Sequence, residues 1–349
     1  MKRSAFLILP LLLAACTGTE EVTSTLRLAV LTNGGGLLRA VTPEADTSAT
    51  PVTDNGSAAL TGGVSLDTLP SGRRLALTGT GGIESRNTDL ADPQPFAAPG
   101  FTPVCLIQTA ASAARDRLLT LSACPNGPQQ LALYRENGTL VWTATLPPYL
   151  PPSPGSDTPP IRLAVLGDVG LVARPRVGGG SEVMRAAQTS AGAARAEVST
   201  PLPTPALRDL APYAAGVVAA TDSGVQRLKA SGEPDAATTI GAFGQGRIDR
   251  LWSGAAGTRA LLAAWRSDQP SASAQPLLVW DGVATGAATV DSLRDLRDLT
   301  LAPDGFLYAL TGTTLTRYDT VPGLSQGNWR PRTLLTGLND ARAVTWLVP

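Results

Sequence analysis

The sequence predicts an all-β chain of seven four-stranded blades closed into a β-propeller. Three observations predict it: an apolar strand segment that recurs at a near-constant spacing, turn dipeptides at the segment ends, and a C-terminal strand with no partners of its own. The recurring segments are residues 26–31, 75–80, 118–122, 171–174, 217–221, 261–265 and 307–311. Counted from Leu28, Leu75, Leu118, Leu171, Val217, Leu261 and Leu307, the steps run from 43 to 53 residues, the length of one propeller blade. The longest step contains a proline-rich insert, residues 147–160, which accounts for its excess. No stretch places apolar residues at helical spacing between proper caps, so period and composition both favour strands.

Turn chemistry supports each unit. Asn33-Gly34, Asn137-Gly138, Ser223-Gly224, Asp281-Gly282 and Asp304-Gly305 supply the positive-φ residues that tight connections between short strands need. The last unit is the most legible: residues 296–301, the Asp304-Gly305 turn, then 306–311 and 314–318. Its run from Leu301 through Ala302-Pro303-Asp304-Gly305-Phe306-Leu307-Tyr308 resembles the PDG-x-LY element of NHL, lactonase-type and quinoprotein-like propellers. That resemblance covers one blade closely and the others through spacing; it implies the fold and says little of function.

The strand preceding each turn also aligns: Ile161-Arg162-Leu163, Leu207-Arg208-Asp209-Leu210, Ile248-Asp249-Arg250-Leu251, Leu296-Arg297-Asp298-Leu299, and finally residues 341–346. The first unit lacks such a strand, and the last one lacks partners. The C-terminal strand is therefore expected to complete the N-terminal blade and close the ring, leaving no open sheet edge.

Two of the three cysteines, Cys105 and Cys124, fall in the third unit, at the start of one strand and the end of the next. A hairpin centred near Ala114 and Arg115 sets them opposite each other, at the separation a disulfide needs. An exported chain favours this pairing over a redox or metal role.

Export is indicated by residues 1–15. Lys2 and Arg3 precede an apolar run over 5–13, and Leu13-Ala14-Ala15 leads into Cys16; the run is too short to span a bilayer and has the form of a cleaved signal. The pattern resembles the lipobox of bacterial lipoproteins. That resemblance implies cleavage before Cys16, lipidation of Cys16, and a membrane anchor facing outside the cytoplasm. Residues 16–25 are then a polar tether and 26–349 a single propeller domain. Thr17 follows the cysteine where aspartate would resemble an inner-membrane retention signal, which implies the outer membrane in a cell that has two.

Composition narrows the chemistry. Without Lys2 and Arg3 the 28 basic side chains fall to 26, against 28 acidic ones, so no bulk field draws the mature chain to nucleic acid. The chain contains no histidine, which removes the commonest general base near neutral pH and every Ser-His or Cys-His nucleophile pair. No G-x-S-x-G elbow, phosphate-binding loop, EF-hand or C-x-x-C motif is present. Residues 241–246 are glycine-rich but lack the strand-to-helix setting of a nucleotide loop. No catalytic residue and no cofactor are assigned.

Asp209, Asp249 and Asp298 align on inner strands. They either converge on the axis to hold a hard cation such as calcium, or pair with Arg208, Arg250 and Arg297 in a polar channel wall, which is the expectation. Arg162, Arg208, Arg297 and Arg342 form a column that offers a cationic funnel as a further alternative. The tryptophans Trp142, Trp252, Trp265 and Trp280 read as packing between blades. Proline-rich residues 92–103, 147–160 and 201–205 fall between units. Half of 147–160 is proline, so that segment is stiff and costs little entropy to immobilise, with Phe96, Phe101, Tyr149 and Leu150 as apolar anchors.

The function expected is therefore a non-enzymatic, membrane-anchored envelope lipoprotein that acts as an interaction or assembly scaffold for an envelope protein. At the level of architecture it resembles propeller lipoproteins that assist outer-membrane assembly. The alternatives are a calcium-dependent lactonase-like hydrolase, or a sugar- or anion-binding module at the propeller channel.

Overall fold

Seven recurring strand segments become the second strands of seven antiparallel sheets in the computed structural model, which describes residues 26–69, 74–96, 100–101, 104–153, 155, 157–266 and 273–348. Cys16 and the residues expected to form the signal segment, 1–15, and the tether, 16–25, lie outside the described residues. The innermost strands of blades two to seven are Gly63–Leu69, Leu106–Ala111, Arg162–Leu166, Leu207–Tyr213, Arg250–Ala256 and Leu296–Leu301. Blade one takes its innermost strand, Ala343–Leu347, from the other end of the chain. The register pairs Leu31 with Ala343 and Arg27 with Leu347, so the closure expected from the unpartnered final strand is present. One short helix, Thr320–Gln326, links strands of blade seven; Asp319 caps it by accepting from the Val321 N–H.

Burial follows the same seven-fold order. Each gap between neighbouring blades holds one apolar cluster; Leu119, Trp142, Leu163 and Val172, for example, fill the gap between blades three and four. Such gaps are where folding free energy is gained, at about 25 cal/mol per Å² of apolar surface removed from water. The clusters also correct the phase of the repeat. Leu171 and Leu261 pack toward the following blade, whereas Leu28, Leu75, Leu118, Val217 and Leu307 pack toward the preceding one. The equivalent positions are Gly170 and Leu262. Gly170 has no side chain because Trp142 and Leu119 of blade three occupy that space, a Cβ there lying 3.0 Å from the indole.

Turns behave as the sequence requires. Gly34, Gly138, Gly224, Gly282 and Gly305 all have positive φ. In the last blade Asp304 accepts from the Phe306 N–H and from the Tyr308 hydroxyl at 2.6 Å. Tyr308 is fully buried, which gives the PDG-x-LY run a local purpose: the carboxylate both shapes the turn and satisfies the buried phenol.

Two expectations about connections change. Residues 92–103 and 201–205 are not purely linkers, since Gln94–Pro95 pairs as the outer strand of blade two and Leu202–Thr204 pairs at the outer edge of blade four. Residues 241–246 are a connection between blades five and six containing the 3-10 turn Gly241–Phe243.

The disulfide joins Cys105 to Cys124 with a Cα–Cα distance of 5.0 Å. The Ala123 N–H donates to the Cys105 carbonyl beside it, and the hairpin turns at Arg115, which has φ +59°.

Candidate functional site

In blades two to seven the innermost strand runs from the face carrying the connections between blades, the crossover face, to the face carrying its hairpin turn, the turn face. The channel along the axis is treated differently at its two ends.

In the middle of the channel, four consecutive blades present alternating charges just before an inward-packed leucine: Arg162, Asp209, Arg250 and Asp298. Asp209 and Asp298 each follow a β-bulge, which re-aims a side chain at the strand edge. Both serve the ring itself. Asp209 accepts the N–H of Leu210 in its own strand and of Leu251 in the next blade, each at 3.0 Å. Asp298 does the same for Leu299 and for Val344 of the closing strand, and takes the Trp252 indole N–H at 3.0 Å. Arg162 lies 2.9 Å from Asp209. Burial raises the Asp298 carboxyl above its usual range, while these donors and Arg250 act against it.

This arrangement corrects two expectations. Asp249 sits one residue out of phase, beside Arg247 at 2.8 Å, and Arg250 takes the position it was given. The aspartates therefore do not converge: Arg250 stands between Asp209 and Asp298, and among the described residues no group of three acidic, cysteine or histidine side chains is placed to hold a metal ion. Their partners also differ from those expected, since Asp209 pairs with Arg162 and Arg250, while Arg208 pairs with Asp222 and Arg297 with Asp295.

At the crossover end, the column of arginines is neutralised residue by residue. Arg208 reaches Asp222 at 2.9 Å and the Asp157 carbonyl at 2.8 Å, and Arg342 reaches Asp340. Arg247 bridges Asp249 and the Asp157 carboxylate, the latter at 2.9 Å. Asp157 belongs to the proline-rich segment 147–160, so that loop is tied back across blades five and six. Of its anchors, Tyr149 stacks under the Arg174 guanidinium at 4.5 Å, while Leu150 stays 77% exposed. Phe96 is buried between blades two and three.

At the turn end the channel opens into a cavity of about 740 Å³ lined by Asp67, Arg115, Arg250, Trp252 and Trp346 among others. Arg115, held at the hairpin tip of blade three, reaches past blade two to lie 4.7 Å from the Trp346 ring of blade one. Its guanidinium has no hydrogen bond or ion pair among the described residues. Burial lowers its pKa, with Asp67 acting against the shift. Arg250 stacks on Trp252 at 4.7 Å; its nearest carboxylate oxygen is 3.4 Å away on Asp209, and its Nε makes no hydrogen bond. The Trp346 indole N–H is also buried without a partner. Asp67 accepts from the Thr109 hydroxyl at 3.1 Å. Burial pushes its carboxyl up to about 6, against the pull of Thr109 and Arg115 and with the help of Asp298.

Sequence reasoning located the hairpin at Arg115 but assigned it no site, and it left out Asp67 and Trp346. Asp67 carried a usable signal, an acidic residue amid the apolar run of an innermost strand. Trp252, expected only to pack, both packs and lines the channel.

No protein-family model and no curated protein matches the chain in sequence. Solved structures match it in fold. A putative 6-phosphogluconolactonase from Bacteroides fragilis superposes with a TM-score of 0.57 at 11% identity, over 95% of this chain and all of that one. A second, from Bacteroides uniformis, gives 0.56 at 14% identity over 92% and 99%. AztD from Citrobacter koseri gives 0.53 at 11% identity over 85% and 79%. At these identities the likeness is one of fold.

Proposed function

We propose that this chain is an exported lipoprotein, anchored through Cys16, whose propeller binds a small ligand in the turn end of its channel and performs no chemistry on it. The observation that carries the binding half is the surplus of donors there: the Arg250 Nε and the Trp346 N–H are buried without a hydrogen bond, and the half-buried Arg115 guanidinium has no hydrogen bond or ion pair among the described residues. Buried donors without partners are costly, by about 1–3 kcal/mol each, and a ligand's acceptors would recover that cost. The anchoring half rests on the n-region, apolar run and small residues before Cys16.

Two measurements test it. Full-length protein should take up a labelled fatty acid and sediment with membranes, and Cys16→Ser should abolish both; labelling that persists in the variant contradicts the anchor. Protein purified from its own cells should carry a bound small molecule in native mass spectra, and Arg115→Asn should lose it.

The scaffold reading has one observation in its favour, Leu150 exposed at 77% on a stiff loop. In-cell crosslinking of Leu150→Ser, which leaves the Asp157 tie in place, separates it from the first: a partner lost in this variant supports a docking loop.

A further inference from the structure

We propose that the turn-end cavity is a site for a short-chain organic dianion, a dicarboxylate held with one carboxylate on Arg250 and the other on Arg115. This rests on the channel-binding reading above and names its ligand class.

The two guanidiniums are suited to this by what already holds them. Each has its guanidinium carbon over an indole at 4.7 Å from the ring centroid, Arg250 on Trp252 and Arg115 on Trp346. Stacking fixes the plane of the cation and leaves its N–H edge available, and a preorganised fork matches a carboxylate in two-point contact. The carboxylates deeper in the channel leave most of this capacity unused: both oxygens of Asp209 and of Asp298 are engaged by backbone or side-chain donors, and Asp209, shared with Arg162, meets Arg250 only at 3.4 Å. The donors left over exceed the acceptors left over, which selects an anion.

Position selects two anionic groups over one. Arg250 lies on the innermost strand of blade six, level with Asp209 and Asp298. Arg115 lies on the hairpin of blade three, at the rim. The Arg115 guanidinium is carried to Trp346 of blade one at the rim, whereas Arg250 lies over Trp252 of blade six beside the charge ring, so the two cations sit on separate blades at different depths, which a short flexible chain with a carboxylate at each end can span. The cavity of about 740 Å³ leaves room for that chain. The Trp346 N–H adds a donor beside Arg115, and Asp67, which accepts from Thr109, lines the same cavity.

The test is calorimetric titration of the purified propeller with succinate, glutarate and adipate, with butyrate as the single-carboxylate control. At least one dicarboxylate should bind with Kd below about 1 mM, at least tenfold tighter than butyrate. Arg115→Asn keeps a residue that tolerates positive φ. With Arg250→Gln, it should weaken binding tenfold or more, each variant first shown to melt cooperatively. Failure of all three dicarboxylates, equal binding of butyrate, or unchanged affinity in Arg115→Asn overturns the proposal. If no dicarboxylate binds but native mass spectra show a cell-derived adduct that Arg115→Asn removes, the ligand class is wrong and the channel site stands. If neither appears, both readings fall.

Discussion

The two ends of the channel use the same side chains to opposite effect. At the crossover end, Arg208, Arg247, Arg297 and Arg342 each face a carboxylate within hydrogen-bond or ion-pair distance, and Asp157 ties a proline-rich loop across two of them. At the turn end, Arg115 rests on an indole ring with no hydrogen bond or ion pair among the described residues, and Arg250 rests on another with a buried Nε that makes no hydrogen bond and only a 3.4 Å ion pair to a shared carboxylate, Asp209. Residue type alone therefore does not mark a site in this ring. What distinguishes the turn end is hydrogen-bonding capacity left unused in a partly dry cavity, where it is worth most.

The largest expected effect removes the frame on which both ends depend. Truncation after Asp340 deletes the innermost strand of blade one, strips Ala343, Val344 and Leu347 from two apolar clusters, and frees the Asp298 carboxylate from the Val344 N–H. Cooperative thermal unfolding should disappear; a truncated chain that melts as the full one does breaks the account of closure.

Next comes the charge ring between the two ends. Asp209→Ala removes acceptors for two backbone N–H groups and leaves Arg162 and Arg250 without their carboxylate. Leaving a buried charge unpaired costs about 3–5 kcal/mol, to be read from urea unfolding. Arg115→Asn at the rim should cost about 1–2 kcal/mol, the worth of a half-buried cation–π contact, so stability and binding part company between these two variants. Opening the disulfide with Cys105→Ala and Cys124→Ala, a separation of 19 residues, should cost about 3 kcal/mol if loop entropy governs, with the turn-end cavity unchanged.

A further effect is pH-dependent. The Asp67 carboxyl is raised from 3.8 to about 6 in the folded chain, so the folded state holds its proton more tightly than the unfolded one. Stability contributed by this group falls as pH rises from about 4 to 6, and the whole penalty is present above 6. Asp67→Asn, which keeps an acceptor for Thr109, should therefore stabilise the protein at pH 7 by about 3 kcal/mol and leave it unchanged near pH 3.5. A gain that is equal at both pH values would remove the desolvated carboxyl from the account.

The frame was legible in the sequence because it is periodic. Blade spacing, glycine turns, the orphan final strand and the Cys105–Cys124 staple are all properties of residues close in sequence or repeated along it. The site was not, because it is made by residues that the ring brings together from blades one, two, three and six. The Asp249 alignment failed for a local reason: in the three equally spaced runs Asp249 stands where Arg208 and Arg297 stand, and Arg250 where Asp209 and Asp298 stand, so the order of acid and base is reversed in blade six and the aspartate points to the crossover end. Arg115 was missed because a hairpin arginine looks the same in sequence whether it points to solvent or crosses a channel mouth.

The most direct test of the claim that the turn end is the binding end is a crystal structure of the protein purified from its own cells without added ligand. The account predicts density for a bound molecule within hydrogen-bond distance of Arg115 or Arg250, between the Trp252 and Trp346 rings. A turn end holding only ordered water, with a bound molecule instead beside Arg208 and Arg247 at the crossover face, would contradict it.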